Sequence, residues 1–455
     1  MHFFTKWSII SPMKRFISEQ LNAWKSAKDR KPLIIRGARQ VGKTYSLKAF
    51  GSECFHRYHY VNFEEDGRPA KIFEKDLDPI RIIAELSFYL NRPIDTVNDL
   101  LVFDEIQACP KALTSLKYFC EKIPQLAVCS AGSLLGLSFG AESFPVGKVD
   151  FLNIYPMSFA EFLQGTGETQ AFQIFMGCRL SGEIPEIVHD RLWELLKIYF
   201  VSGGLPEIIN TYNLHQDNLF SALQAVREKQ NNLVLAYEAD IAKHSGKLNS
   251  MHIGRVWRHV PAQLALGQDG SAPKFKFKGI IPGVKGFQRL SGPIDWLQTA
   301  GLIIKCPIIE RGSIPFTPYI KENFFKLYLF DVGILGAIAK IPPRTILDYD
   351  YGSYKGYFVE NFVAQEFICS GQDQLFCWQE GRTAEVEFLR EVDGRAIPIE
   401  VKSGGVTQSK SLDIFCRKYS PPFRVIISAG PLRQDPRYNV HHYPIYLAGR
   451  FPLPG

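Results

Sequence analysis

Residues 33–47 read LIIRGARQVGKTYSL: an apolar run, a glycine-bounded basic loop, then a second helix-compatible run. Gly37-Ala38-Arg39-Gln40-Val41-Gly42-Lys43-Thr44 meets G-x-x-x-x-G-K-[ST] at every fixed position. The glycines let successive backbone N–H groups turn inward on phosphate oxygens. Lys43 has the reach for β- and γ-phosphates, and the Thr44 hydroxyl is a ligand for Mg²⁺. These eight residues, with Tyr45, are the expected contacts of a nucleotide, ATP with Mg²⁺. A helix starting near Gly42 adds its positive end. Further on, LLVFDEIQ puts Asp104 and Glu105 at the end of an apolar strand. Asp104 suits the magnesium's water shell, and Glu105 suits polarisation of the attacking water. Ser133, closing SAGS, is placed to touch the γ-phosphate or that water; a tight turn of small residues reads the same way.

A second set of charged residues lies near the C-terminus: Glu360 in YFVENFVAQEF, Glu387 in AEVEFL, and Glu400-Val401-Lys402 in IPIEVKSG. Residues two apart share a strand face, so Glu400 and Lys402 project together. With Glu387 on a neighbouring strand, two carboxylates can hold Mg²⁺ while Lys402 orients a water. The pattern resembles the restriction-endonuclease-like fold, which has an acid, then Glu-x-Lys, and an earlier helix glutamate. That resemblance implies Glu387 and Glu400 as metal ligands, with Lys402 and Glu360 beside them. Glu387 stands where the pattern has aspartate, and its extra methylene moves the carboxylate by more than ~1 Å. Cleavage, nucleic-acid binding without cleavage, and a purely structural module all remain open readings.

These residues need elements to hold them. In the first third, PLIIRG (32–37), YHYVNF (58–63), DLLVFDE (99–105), LAVCSAGS (126–133) and VDFLNIYPMS (149–158) alternate with helical spacers. Such runs fit parallel strands buried on both faces. The expected fold class is a multidomain α/β chain, with a P-loop three-layer αβα core over 31–165 preceded by an extension and helix over 1–30. A helical subdomain over 166–250 is broken at VSGGLPE, where Gly203, Gly204 and Pro206 end a helix. Residues 251–345 read as winged-helix-like, from GPIDWLQTAGLIIKC as helix and strand with KFKFK as a further strand. Alternating Lys and Phe also suits an amphipathic strand burying Phe275 and Phe277. Residues 350–455 form the nuclease-like α/β unit.

At 455 residues, a prior of about 150 residues per domain suggests roughly three domains. No apolar run nears the ~18 residues of a membrane span. In MHFFTKWSIISPMKRF, Lys6 interrupts the apolar start and no small-residue cleavage site follows, so no signal peptide is read and Met13 is a second candidate start. Nine cysteines stand singly with no CxxC pair, so neither a zinc ribbon nor a disulfide framework is indicated, and a reducing cytoplasm is the simplest home. The net charge is +7, with eleven Lys and Arg against Glu19 and Asp29 in residues 1–50. KFKFKGIIPGVKGFQR (274–289) carries five positive residues and no acid. Such patches favour polyanions, nucleic acid among them.

KPLIIRGARQVGKT, YVNFEE, LLVFDEIQACPKALTSLKYF, SAGSLLG, FPVGKV and YPMSFAEFL together resemble a family of bacterial and archaeal AAA-type ATPases. GGLPE, FKLYLFDVGIL, KGYFVENFVAQEF and IPIEVKSG resemble that family's uncharacterised C-terminal region. The resemblance runs from about residue 13 to the C-terminus. It implies a cytoplasmic ATPase assembling as a homo-oligomeric ring, with a hexamer as the candidate size, and a positive group supplied by the neighbouring subunit. Lys148 in FPVGKV falls where related ATPases carry arginine; Arg255 and Arg258 are the other candidates. The expected function is ATP hydrolysis driving conformational change on nucleic acid. The alternative is a nucleotide-gated assembly or signalling switch whose tail is an interaction module.

Overall fold

The computed structural model describes residues 13–133, 144–264, 274–284, 286–350, 352, 354–381, 384–404 and 409–455. Residues 1–12, the 134–136 part of SAGSLLG, and Lys285 of the basic run lie outside them. The apolar runs of the first third form strands β1 (Leu33–Arg36), β2 (Arg57–Asn62), β3 (Asp99–Asp104), β4 (Ala127–Gly132) and β5 (Asp150–Asn153). They make one parallel sheet in the order β2-β3-β4-β1-β5. Every residue of β3 and β4 is buried, as helix-covered parallel strands must be. β5 is shorter than the run 149–158: it stops at Asn153, ahead of Pro156, whose ring has no N–H for a ladder. Because β1 lies between β4 and β5, the chain leaves it where the strand order reverses. In such sheets a crevice opens beyond the strand's carboxyl end.

Helices Thr169–Gly177, Glu186–Ser202, Pro206–Leu214 and Leu219–Ser245 follow, with the expected break at Gly203–Pro206. The helix Gln288–Thr299 then leads into β6 (Ile303–Ile309), as read. β6 and β7 (Phe325–Leu329) share an eight-stranded sheet with β8 (Phe376–Glu380), β9 (Ala384–Val392), β10 (Arg395–Val401), β11 (Arg424–Ser428), β12 (Arg433–Asp435) and β13 (Val440–Pro444). That mixed sheet runs across the break read at 345–350, because β6 pairs antiparallel with β7 and parallel with β8. KFKFK is not a strand. The Gln263 side-chain amide bonds both the N–H and C=O of Lys276, at 2.7 and 2.6 Å, so those groups have no need of a ladder. The alternation survives as burial: Phe275 is inside and packs on Phe325, while Lys274 and Lys276 face out.

One apolar core joins Leu33 and Val41 beneath the loop to Tyr199 and Phe200 in the helix Glu186–Ser202 and to Phe358 and Phe362 further on. All nine cysteines are free thiols. Among the described residues, no helix is long and apolar enough to cross a membrane.

The helix Tyr354–Cys369 carries a buried polar face that ties the halves together. Asn361 bonds Leu329 N and O at 2.8 and 3.0 Å. Gln365 accepts from Val332 N and donates to the Tyr199 hydroxyl, both at 2.8 Å. Glu366 accepts from Phe159 N at 2.9 Å. Burial pushes the Glu366 carboxyl from 4.5 up to about 8; the Phe159 N–H opposes this and nearby Glu161 adds to it. The folded state therefore keeps a proton that the unfolded chain releases. The stability this gives is fully present below pH 4.5 and is lost as pH rises through about 8. We expect wild-type stability to fall across that window by as much as ~1.4 kcal/mol per pH unit more than that of Glu366→Gln. Melting temperature against pH for both proteins checks this; parallel curves refute it.

Candidate nucleotide site

The phosphate loop follows β1 at the switch point, and its backbone needs the residues it has. Gly42 has φ +95° and Gln40 has φ +66°, in the left-handed region that favours glycine. A Cβ on Gly37 would lie 2.2 Å from Ile154 O, so the strand-to-loop turn admits no side chain there. The helix Lys43–Cys54 begins directly after Gly42. Lys43, 7% exposed, donates from Nζ to Gly37 O at 2.9 Å and Ala38 O at 2.8 Å. Burial lowers its pKa to about 8, while Glu105 and Asp104 pull it back up.

Asp104, at the end of β3, is brought beside the loop. Thr44 Oγ1 donates to Asp104 Oδ2 at 2.6 Å, and the Tyr60 hydroxyl donates to the same oxygen at 2.7 Å. Burial and that bond raise the Tyr60 hydroxyl's pKa, which keeps it a donor. Glu105 sits at φ +49°, a left-handed turn that swings its carboxylate out of the strand line. Gln107 Nε2 holds Glu105 Oε2 at 2.5 Å. Ser133, at the tip of β4, receives a 3.4 Å contact from Arg39 Nε. Tyr45 is exposed on the loop helix.

The sequence reading missed the groups that brace this loop. Arg15 donates to Val41 O at 2.6 Å, Tyr155 O at 2.8 Å and Glu161 Oε1 at 2.9 Å, so one buried guanidinium clamps the loop to the core. Glu161 also closes a capping box with Ser158. That S-x-x-E signal was present in the sequence, but nothing there tied it to Arg15. From the helix Leu219–Ser245, the Tyr237 hydroxyl donates to Arg39 O at 2.9 Å and Asp240 pairs with Arg39 at 3.0 Å. Gly301, following the helix Gln288–Thr299, packs so close that a Cβ would lie 3.2 Å from Ala38 N. A cavity of about 550 Å³ opens there, with Gly37, Ser133, Asn153, Tyr155 and Gln298 among its walls.

The GGLPE loop is the third contact. Pro206 lies near Gly42, where a Cβ would be 3.5 Å from its ring. Gly204 N donates to Asp331 Oδ2 at 2.6 Å, and Gly204 O accepts from Met157 N at 2.6 Å. Asp331 also caps the helix Val332–Ile338 through Ile334 N at 2.9 Å. Burial lifts its carboxyl to about 6 against those backbone donors.

Of the neighbour-facing candidates, Lys148 pairs with Glu121 at 3.0 Å, just before β5. Arg258 pairs with Glu238 at 2.6 Å, and Arg255 lines a cavity of about 370 Å³ beside it. Lys148 lies at the amino end of the sheet, opposite its own phosphate loop.

The four C-terminal residues do come together. β9 and β10 are antiparallel neighbours, Val401 N donates to Glu387 Oε2 at 3.3 Å, and Lys402 pairs with Glu400 at 2.6 Å. Burial, then Glu400 and Glu360, push the Glu387 carboxyl well above its usual range. Two further charged residues join them, which the motif did not include: Lys326 and Glu385. Among the described residues, no group of three or more His, Cys, Asp or Glu side chains is arranged to hold a metal ion.

Residues 29–163 match the family model described as AAA domain. Residues 194–345 match a domain of unknown function (DUF8612), and residues 355–447 match another (DUF4143). No curated protein matches the chain. Among solved structures, the chain is similar to the Walker-type ATPase PABY2304 of Pyrococcus abyssi, at 14% identity and TM-score 0.46, covering 72% of this chain and 95% of that one. The Aeropyrum pernix Orc1 protein in complex with DNA gives 16% identity and TM-score 0.30, covering 73% and 92%. The Thermotoga maritima RuvB Holliday junction branch migration motor gives 14% and 0.32, covering 64% and 89%.

Proposed function

We propose, from the AAA-type P-loop ATPase domain at residues 29–163, that this chain binds ATP with Mg²⁺ and hydrolyses it to drive rearrangement of its second half. The carrying observation is the convergence of Lys43, Thr44, Asp104 and Glu105 at the carboxyl ends of β1 and β3. Lys43 binds the β- and γ-phosphates. Thr44 and Asp104 are hard oxygen donors already in contact, the donor class Mg²⁺ prefers, so these residues fit the ion. The ion supplies neutralisation of phosphate charge. Glu105 takes the proton of the attacking water, and Ser133, with Arg39 beside it, meets the γ-phosphate side. The backbone of residues 37 to 42 and Tyr45 complete the nucleotide contacts. Lys148, placed away from its own loop, is the preferred group to act on a neighbouring copy in a ring, with Arg255 and Arg258 as alternatives.

Three elements that follow the AAA domain touch the phosphate loop: the Gly301 turn, the GGLPE loop, and Tyr237 with Asp240. They support transmission of nucleotide state outward. We take nucleic acid as the substrate class, on the net charge of +7 and the basic 274–289 run. The switch reading is favoured by a different observation: the C-terminal carboxylates are tied up by lysines, which suits an interaction module.

Steady-state ATP hydrolysis with double-stranded DNA, single-stranded DNA or RNA separates the two. We expect one polymer to raise turnover, with the stimulation weakening steeply as salt increases. A flat response with all three defeats the nucleic-acid reading and leaves the switch.

A further inference from the structure

Lys326 is fully buried, yet it comes from β7, outside the unit that holds the E-x-K motif. Its Nζ lies 2.9 Å from Glu360 Oε1 on the helix Tyr354–Cys369, and 2.5 Å from Glu385 Oε1 on β9. Tyr328, two residues along the same strand face, donates its hydroxyl to Glu360 Oε1 at 2.5 Å. Glu385 and Glu387 share a face of β9 by the same period, and Glu400 on neighbouring β10 is paired with Lys402 at 2.6 Å. Four carboxylates thus converge with two ammonium groups, and one ammonium bridges two of the acids.

A fully buried ammonium is costly unless it is paired and hydrogen-bonded, as Lys326 is by two carboxylates. Here it sits between Glu360 and Glu385, close enough to the Glu387 carboxylate for its charge to act on it. Mg²⁺ requires near-octahedral oxygen ligands at ~2.0–2.1 Å and usually keeps several waters. A divalent ion among these acids would sit against a fixed positive charge with no side-chain exposure to relax it. The residues present therefore do not fit the metal implied by the nuclease-like motif.

We propose that Lys326 is a tethered cation standing in place of a divalent metal in this carboxylate cluster. It holds the C-terminal unit to the preceding strands by a lysine–glutamate network, and the unit does not work as a metal-dependent nuclease. The inference does not depend on the ATPase reading.

The test is Mn²⁺ binding to the full chain, followed by loss of the free-ion electron paramagnetic resonance signal. Every arm carries Asp104→Asn, so that the P-loop carboxylate takes no ion. With Lys326 present, we expect no Mn²⁺ bound and no Mn²⁺-dependent cleavage of plasmid DNA. Lys326→Met should gain one bound Mn²⁺ per chain, and Glu400→Gln should remove it again. If the methionine variant fails to fold by circular dichroism, Lys326→Gln, which keeps a donor for Glu360, takes its place. Mn²⁺ bound with Lys326 intact and lost in Glu400→Gln overturns the proposal. So does a folded Lys326 variant that gains no ion.

Discussion

Glu105→Gln is expected to lower ATP turnover by about 10²–10⁴-fold while nucleotide binding persists. The side chain is swung clear of β3 by its left-handed backbone and held by Gln107, so the amide keeps shape and contact while losing the basic oxygen. Lys43→Ala should behave differently. It removes the one ammonium buried in the loop, together with the bonds to Gly37 O and Ala38 O, so binding and turnover fall together. Single-turnover hydrolysis alongside fluorescent-nucleotide titration distinguishes the two. Equal turnover in Glu105→Gln and wild type would remove Glu105 from the mechanism. Undiminished binding and turnover in Lys43→Ala would sink the P-loop assignment itself.

The second large effect concerns Asp331, which the motif reading passed over inside FKLYLFDVGIL. Its two oxygens serve Gly204 N and Ile334 N, joining the GGLPE loop to the cap of the helix Val332–Ile338. Gly203 is packed against the same carboxylate, so closely that a Cβ would lie 2.2 Å from Oδ1. Asp331→Ala strands both N–H groups in a fully buried site. At ~1–3 kcal/mol for each unsatisfied group, we expect about 3 kcal/mol of destabilisation. Asp331→Asn keeps one acceptor and should lose less. Urea unfolding midpoints give the stability, and ATP turnover of Asp331→Asn below its melting range gives the coupling. A midpoint for Asp331→Ala within error of wild type would show that the aspartate ties nothing together.

The phosphate loop was legible because its geometry is local. Gly37 and Gly42 set the backbone, Lys43 and Thr44 follow at fixed offsets, and the flanking apolar runs can only be strand and helix. Four of the five parallel strands appeared within a residue or two of the runs that announced them. The fifth was overextended because apolar content continues past Asn153 while ladder pairing stops. KFKFK misled for a related reason: period-two burial is real there, but the Gln263 side chain satisfies the backbone groups that a strand would have used.

By itself, then, the sequence determined the phosphate-loop motif with its flanking strand and helix, the order of the five parallel strands along the chain, and the charged residues of the C-terminal unit. Only the tertiary structure decided what those residues face. Arg15 reaches Val41 and Glu161, Asp240 reaches Arg39, Asp331 reaches Gly204, and Lys326 reaches Glu360 across two elements. Spacing along a chain reports which side chains share a helix or strand face. It says nothing about which distant face will be packed against them, because burying apolar surface across the whole chain makes that choice.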